Sequence, residues 1–176
     1  MTAIGNRNAS LPPGRGRASG FTLIELMVTL TVLAVMLGIG VPSFKNFIAG
    51  QKVKTATYDV MASLLLARSE AVKRNTNVAL TPGSATAWAD GWTVSTGTLT
   101  LLQQQAAQGV TITPKDPGSP SNSVSLASLS FAGTGRPAAK AYFEVTGVAG
   151  AYEVTATKCV KLDPSGIPSS IQGVCR

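Results

Sequence analysis

Histidine is absent from all 176 residues. That removes Ser–His and Cys–His nucleophile pairs, imidazole-bound zinc and the most common general base. Cysteine is nearly absent, with only Cys159 and Cys175, close together near the C-terminus. In a chain with an export signal such a pair reads as a disulfide in an oxidising compartment, closing a short loop worth ~3 kcal/mol. The alternative is two buried free thiols. Charge is scarce: only 13% of residues are Asp, Glu, Lys or Arg. The eight carboxylates are scattered, with no spacing that suggests a catalytic pair. Gly133-Thr134-Gly135 lacks the following helix that a phosphate loop needs. Asp116 and Asp163 stand beside prolines as turn formers and not as a calcium loop. No enzyme, cofactor, metal or small-molecule substrate is expected.

One long apolar run stands against these absences. From Phe21 to Val41 the only charged residue is Glu25. As a helix at ~1.5 Å per residue, the run is about as long as a bilayer's hydrocarbon core is thick. Arg7, Arg15 and Arg17 precede it, and no acidic residue does. Since the first twenty residues hold these three of the fifteen basic residues, the remainder is only mildly basic. Such a start stays on the cytoplasmic side and sends the chain beyond Val41 outward. The run is too long for a secretory signal, and no A-x-A cleavage site comes after it. A carboxylate inside it costs ~2.5–3.5 kcal/mol near the bilayer centre and less toward the edge, so Glu25 needs a partner or must snorkel.

Gly20-Phe21-Thr22-Leu23-Ile24-Glu25-Leu26 resembles the processing site of type IV pilins and of the pseudopilins of type II secretion. The resemblance implies that a prepilin peptidase/N-methyltransferase cuts between Gly20 and Phe21 and methylates the new N-terminus at Phe21. It also implies that Glu25 meets the positive N-terminus of a neighbouring subunit during assembly. Two opposite charges in lipid offset each other's desolvation only when they meet. The fold it implies is α+β, the type IV pilin fold. Residues 1–20 are then a cleaved basic leader, 21–41 the transmembrane and assembly half of a long helix, and 42–76 its amphipathic half. An antiparallel β-rich domain, 77–176, packs on that second half and carries the disulfide loop.

The residues themselves support the later segments. Pro42 interrupts the helical ladder, but the apolar pattern resumes at once, which predicts a kink and not an end. Phe47, Val53, Ala56, Val60, Met61, Leu64, Leu65, Ala67, Ala71 and Val72 recur mostly three, four or seven apart, as one stripe of an amphipathic helix ending near Asn75. Beyond it, β-branched segments alternate with turn residues. Strands are expected at Asn77–Thr81, Gly91–Ser95, Thr98–Leu102, Val110–Thr113, Val124–Phe131, Ala141–Thr146, Tyr152–Thr157 and Cys159–Leu162. Breaks are expected at Pro82-Gly83, Asp90-Gly91, Asp116–Gly118, Gly133–Pro137, Gly147–Gly150 and Asp163–Gly166. Trp88 and Trp92 read as wedges in the sheet.

Three segments resemble the GspH/FimT branch: Ala67–Asn75 as its helix-end signature, Trp88-Ala89-Asp90-Gly91-Trp92 as its W-x-x-G-W segment, and Phe131–Arg136 as its F-x-x-x-G-R turn. The branch implies a minor pilin of a type IV pilus. Its partners are other major and minor pilin subunits. Its place is the bacterial inner membrane, with the β-domain in the periplasm, and then the fibre. A minor pseudopilin of type II secretion is the alternative. Some members of the branch bind DNA for natural transformation through a basic tail with a G-R-x-R motif. Here the matching turn reads Gly166-Ile167-Pro168-Ser169, without either arginine. Candidate phosphate contacts are Arg136, Lys140, Lys158, Lys161 and Arg176, against the reading of a merely solvated face.

Overall fold

The computed structural model describes residues 20–84, 87–148 and 154–176, with backbone alone at 39–43 and 154–155. The basic leader with its three arginines, and the expected strand start at Tyr152, lie outside the described residues. Two compact units divide the chain, one ending at Ile39 and the other running from Gly40 to Arg176.

One helix, α1 (Leu23–Arg74), contributes to both units, and its backbone stays helical through Pro42. Its start is set by Thr22, whose Oγ1 accepts the Glu25 N–H at 3.2 Å, an N-cap. Its end is a Schellman turn: Asn75 takes φ 49°, its N–H donates to Val72 O, and Thr76 N–H donates to Ala71 O. Among the described residues no helix is long and apolar enough to cross a membrane. The described side chains of the apolar run stop at Gly38, short of the ~20 residues a crossing takes.

In the second unit, eight strands come after the helix: β1 (Val78–Ser84), β2 (Ala87–Thr96), β3 (Leu99–Gln104), β4 (Val110–Lys115), β5 (Leu129–Phe131), β6 (Ala141–Val148), β7 (Val154–Leu162) and β8 (Pro168–Gln172). They form two antiparallel sheets, ordered β3-β2-β1-β5 and β4-β6-β7-β8. Trp88 of the first sheet meets Phe143 of the second edge-on, ring centroids 4.9 Å apart. Trp88, Trp92, Phe131 and Phe143 are buried in one core with Val53, Val60 and Leu64 of the helix.

Several expected boundaries are corrected. Pro82-Gly83 does not break β1, because β5 pairs only with Val78–Leu80 and Pro82 lies past the end of that neighbour. Asp90-Gly91 lies inside β2, where Gly91 takes φ +96°. The expected strand Val124–Phe131 shrinks to Leu129–Phe131. Its first part crosses from one sheet to the other, and there Leu126 O accepts the Trp88 Nε1–H at 3.0 Å. The last two expected strands are one, β7, since Lys158 keeps the ladder opposite Val145. β8 was not expected at all, because Pro168 and two serines conceal an edge strand.

The helix stripe is also corrected. Phe47, Leu65 and Val72 are exposed, while Thr57 and Ser63 are buried among the apolar residues. Thr57 is tolerated because its hydroxyl donates to Val53 O at 2.7 Å, so no donor is left unpaired. Two apolar stripes on opposite faces had merged into one pattern. Adjacent leucines separate them: Leu64 is fully buried and Leu65 is 45% exposed. Leu64→Ala is expected to cost ~2–5 kcal/mol and Leu65→Ala less than ~0.5 kcal/mol, read from denaturant melts of the detergent-solubilised full chain. Equal losses would contradict this division of faces.

Candidate functional site

The first site is the start of α1. Gly20 and Phe21 precede the helix in non-helical backbone and are exposed, and among the described residues none beyond its chain neighbours comes within 4 Å of where a Gly20 Cβ would sit. Thr22 and Glu25 hold the N-cap and third positions, the spacing of a capping box. The carboxylate thus sits in the first helical turn, where the helix dipole favours negative charge. Every large apolar side chain from Phe21 to Leu37 among the described residues is more than half exposed, Val32 and Leu33 least at 52%. Among the described residues of this unit, nothing covers them.

The second site is the C-terminal tail. Cys159 and Cys175 are bonded, Cα–Cα 5.1 Å, so the pairing expected from sequence is present. Glu144 on β6 fastens the same tail: one carboxylate oxygen accepts the Cys175 N–H at 3.1 Å, and the other lies 3.5 Å from Lys115 Nζ. Lys161 Nζ donates to Arg176 O at 2.6 Å and lies 5.2 Å from the centre of the Tyr142 ring. Four of the five candidate phosphate contacts are thereby placed relative to one another. Lys140 and Lys161 line one cleft of about 200 Å³, and Arg176 is tied to Lys161. Lys158 points to the other face of β7, since strand side chains alternate. Arg136 stands in the turn after β5, where its carbonyl accepts the Ala132 N–H. Among the described residues no three metal-ligating side chains cluster.

Sequence reasoning missed Arg68. From α1 its Nε donates to Gly135 O at 3.3 Å, in the turn after β5. Gly135 and Gly166 both have positive φ. A side-chain carbon at Gly166 would strike the Gly135 carbonyl, and one at Gly135 would strike Val72 Cγ2. The helix-end segment, the Phe131–Arg136 turn and the Gly166 turn therefore meet at one junction. The glycines are needed there for close approach, and the arginine bonds the two segments together.

The β7–β8 turn is held by Asp163. Its Oδ1 accepts from the Ser165 hydroxyl, the Ser165 N–H at 2.9 Å and the Ile167 N–H at 3.2 Å. The Ser165 hydroxyl first, then the Ile167 amide, hold its carboxyl below the usual aspartate range. A depressed value makes the contribution complete above the ordinary aspartate pKa and removes it as pH falls through the depressed one. The melting temperature is therefore expected to fall less steeply with acid below about pH 4 in Asp163→Asn than in the wild type. Parallel pH profiles would contradict the assignment.

The sequence also matches two family models. One, described as Type II transport protein GspH, covers residues 56–166. The other, described as Prokaryotic N-terminal methylation motif, covers residues 15–41. No curated protein matches by sequence. The type IV minor pilin FimU of Pseudomonas aeruginosa is similar in two crystal forms, with TM-scores of 0.56 and 0.54 at 16% and 15% identity. These matches cover 68% and 67% of this chain and 87% and 91% of FimU. The minor pseudopilin EpsH from the Type 2 Secretion System of Vibrio cholerae matches with a TM-score of 0.48 at 12% identity, over 69% of this chain and 97% of EpsH.

Proposed function

This chain belongs to the GspH family, and on that footing we propose that it is a minor pilin, a structural subunit of a type IV pilus. It is cut between Gly20 and Phe21 and methylated at Phe21. It is held in the inner membrane by the apolar run, with its β-domain in the periplasm, and is then drawn into the fibre. The methylation motif over residues 15–41 implies processing by a prepilin peptidase and assembly with other pilin or pseudopilin subunits. The observation that carries the reading is the start of α1: exposed Gly20 and Phe21, a capped first turn holding Glu25, and an apolar helix that no other described residue of its unit covers.

The chemistry is a transfer between two solvents. In lipid the exposed leucines and valines are satisfied and the carboxylate is not. In a fibre, neighbouring helices replace the lipid around the apolar side chains. Glu25 then meets the positive N-terminus of the next subunit, so that two charges costly alone become a pair. The family description favours a second reading, a minor pseudopilin of type II secretion. The same helix serves both, and a deletion strain separates them: loss of twitching supports the pilus, loss of enzyme secretion the secretion apparatus.

Glu25→Ala is expected to leave a stable, processed protein in the membrane and to lower its amount in sheared fibres at least about tenfold, a loss of ~1.4 kcal/mol or more in the exchange. Quantitative immunoblots of membrane and fibre fractions measure both. Normal incorporation of Glu25→Ala would sink the role given to that carboxylate.

A further inference from the structure

A cleft of about 390 Å³ opens on the flank of α1, between residues 48–59 of the helix and the loop that joins β3 to β4. It lies wholly in the second unit, and neither site described above uses it. Its size is at the low end of the range that small ligands occupy, ~300–1,000 Å³. The buried Ala56 and Val110 give it an apolar base. Four of the chain's six glutamines, Gln51, Gln104, Gln105 and Gln108, stand around it. Each carboxamide offers a donor and an acceptor side by side, the pair that a peptide group also presents.

The loop adds open backbone. It is pinned at two points: the Ala107 N–H donates to Ala89 O at 2.8 Å, and Gly109 O accepts the Val148 N–H at 3.1 Å. Among the described residues no backbone bond reaches Gln105, Ala106 or Gln108, and all three are exposed. Unpaired backbone beside a cleft takes an extended peptide as a strand edge does.

Charge selects which peptide. Asp59 is half-buried in the cleft wall, and its Oδ2 accepts from Gln104 Nε2 at 3.4 Å. Burial pushes its carboxyl above the usual aspartate range. Two turns back along the helix, the Lys52 ammonium lies over Gly109, where φ is +74° and a side-chain carbon would stand 2.9 Å from Nζ. Among the described residues neither charge meets an opposite one. Seven residues of helix put the two positions ~10.5 Å apart along the axis. An extended chain covers ~3.3–3.6 Å per residue, so three residues span that gap. We propose that this cleft binds a short peptide with both ends free, about three residues long, its ammonium on Asp59 and its carboxylate on Lys52. The glutamines and the open loop backbone hold the peptide groups between. A neutral polyol would satisfy the glutamines and leave both charges unpaired. The proposal does not depend on the reading of the chain as a fibre subunit.

The test is a titration of the detergent-solubilised full chain, its glutamines isotope-labelled for magnetic resonance, with trialanine as the probe. Amide shifts are expected at Gln51, Gln104, Gln105 and Gln108, while Gln172 on β8 stays unmoved. N-acetyl-trialanine amide has the same peptide groups without the end charges, and dialanine is too short to reach both. Each is expected to bind at least about ten times more weakly than trialanine, a difference of ~1.4 kcal/mol. Asp59→Asn and Lys52→Gln are each expected to weaken trialanine by a similar factor and to leave the blocked peptide unaffected. Equal affinity for free and blocked tripeptides, equal affinity for dialanine, shifts at Gln172 as large as those in the cleft, or no shift at all overturns the proposal. The peptide comparisons use the wild-type chain, so they hold even where a variant fails to fold.

Discussion

A carboxylate in the first turn of an apolar helix constrains everything downstream. Glu25 is the only charged side chain between Phe21 and Val41, and among the described residues of their unit nothing covers the side chains around it. Such a helix is satisfied neither in water, where its apolar surface is exposed, nor wholly in lipid, where its charge is. On the reading proposed above, other helices supply that environment and bring a positive group to the carboxylate. Helix capping by Thr22 fixes where in the first turn that carboxylate stands.

The β-domain answers a different requirement. It holds α1 from one side and leaves Tyr58, Leu65 and Val72 exposed on the other. The core does this with small residues on the helix, Ala49, Ala56, Ala67 and Ala71, which let the sheets come close, and with large aromatics from the strands. Trp88 and Phe143 join the two sheets over that helix. At the C-terminal end of α1, the Schellman turn at Asn75 and the Arg68 contact to Gly135 lock the helix to both turns that approach it. The disulfide and Glu144 then close the tail onto the second sheet. Arg68, the two cysteines and Glu144 all serve here as fasteners.

How much of this the sequence disclosed depends on how local each signal is. The helix start was legible because a short motif, a basic leader and an apolar run with a single charge lie next to one another. The pairing of Cys159 with Cys175 was legible because no other cysteine competes. The α+β layout came from a change of period after Asn75. The hidden features depend on distant neighbours. Pro82 looks like a break until β5 is seen to end beside Leu80. β8 is concealed because an edge strand need not be apolar, and Arg68 because its acceptor is 67 residues away. The two faces of α1 merged because residues three, four and seven apart were counted without asking which way each points.

The central claim is that one processed chain occupies both the membrane and an extracellular fibre. Intact-mass and N-terminal peptide mass spectrometry of the same protein, purified separately from membranes and from sheared fibres, tests it most directly. The account predicts one terminus in both fractions, Phe21 carrying a single added methyl group. A terminus elsewhere than Phe21, or a processed chain confined to the membrane and absent from every extracellular fraction, would contradict it.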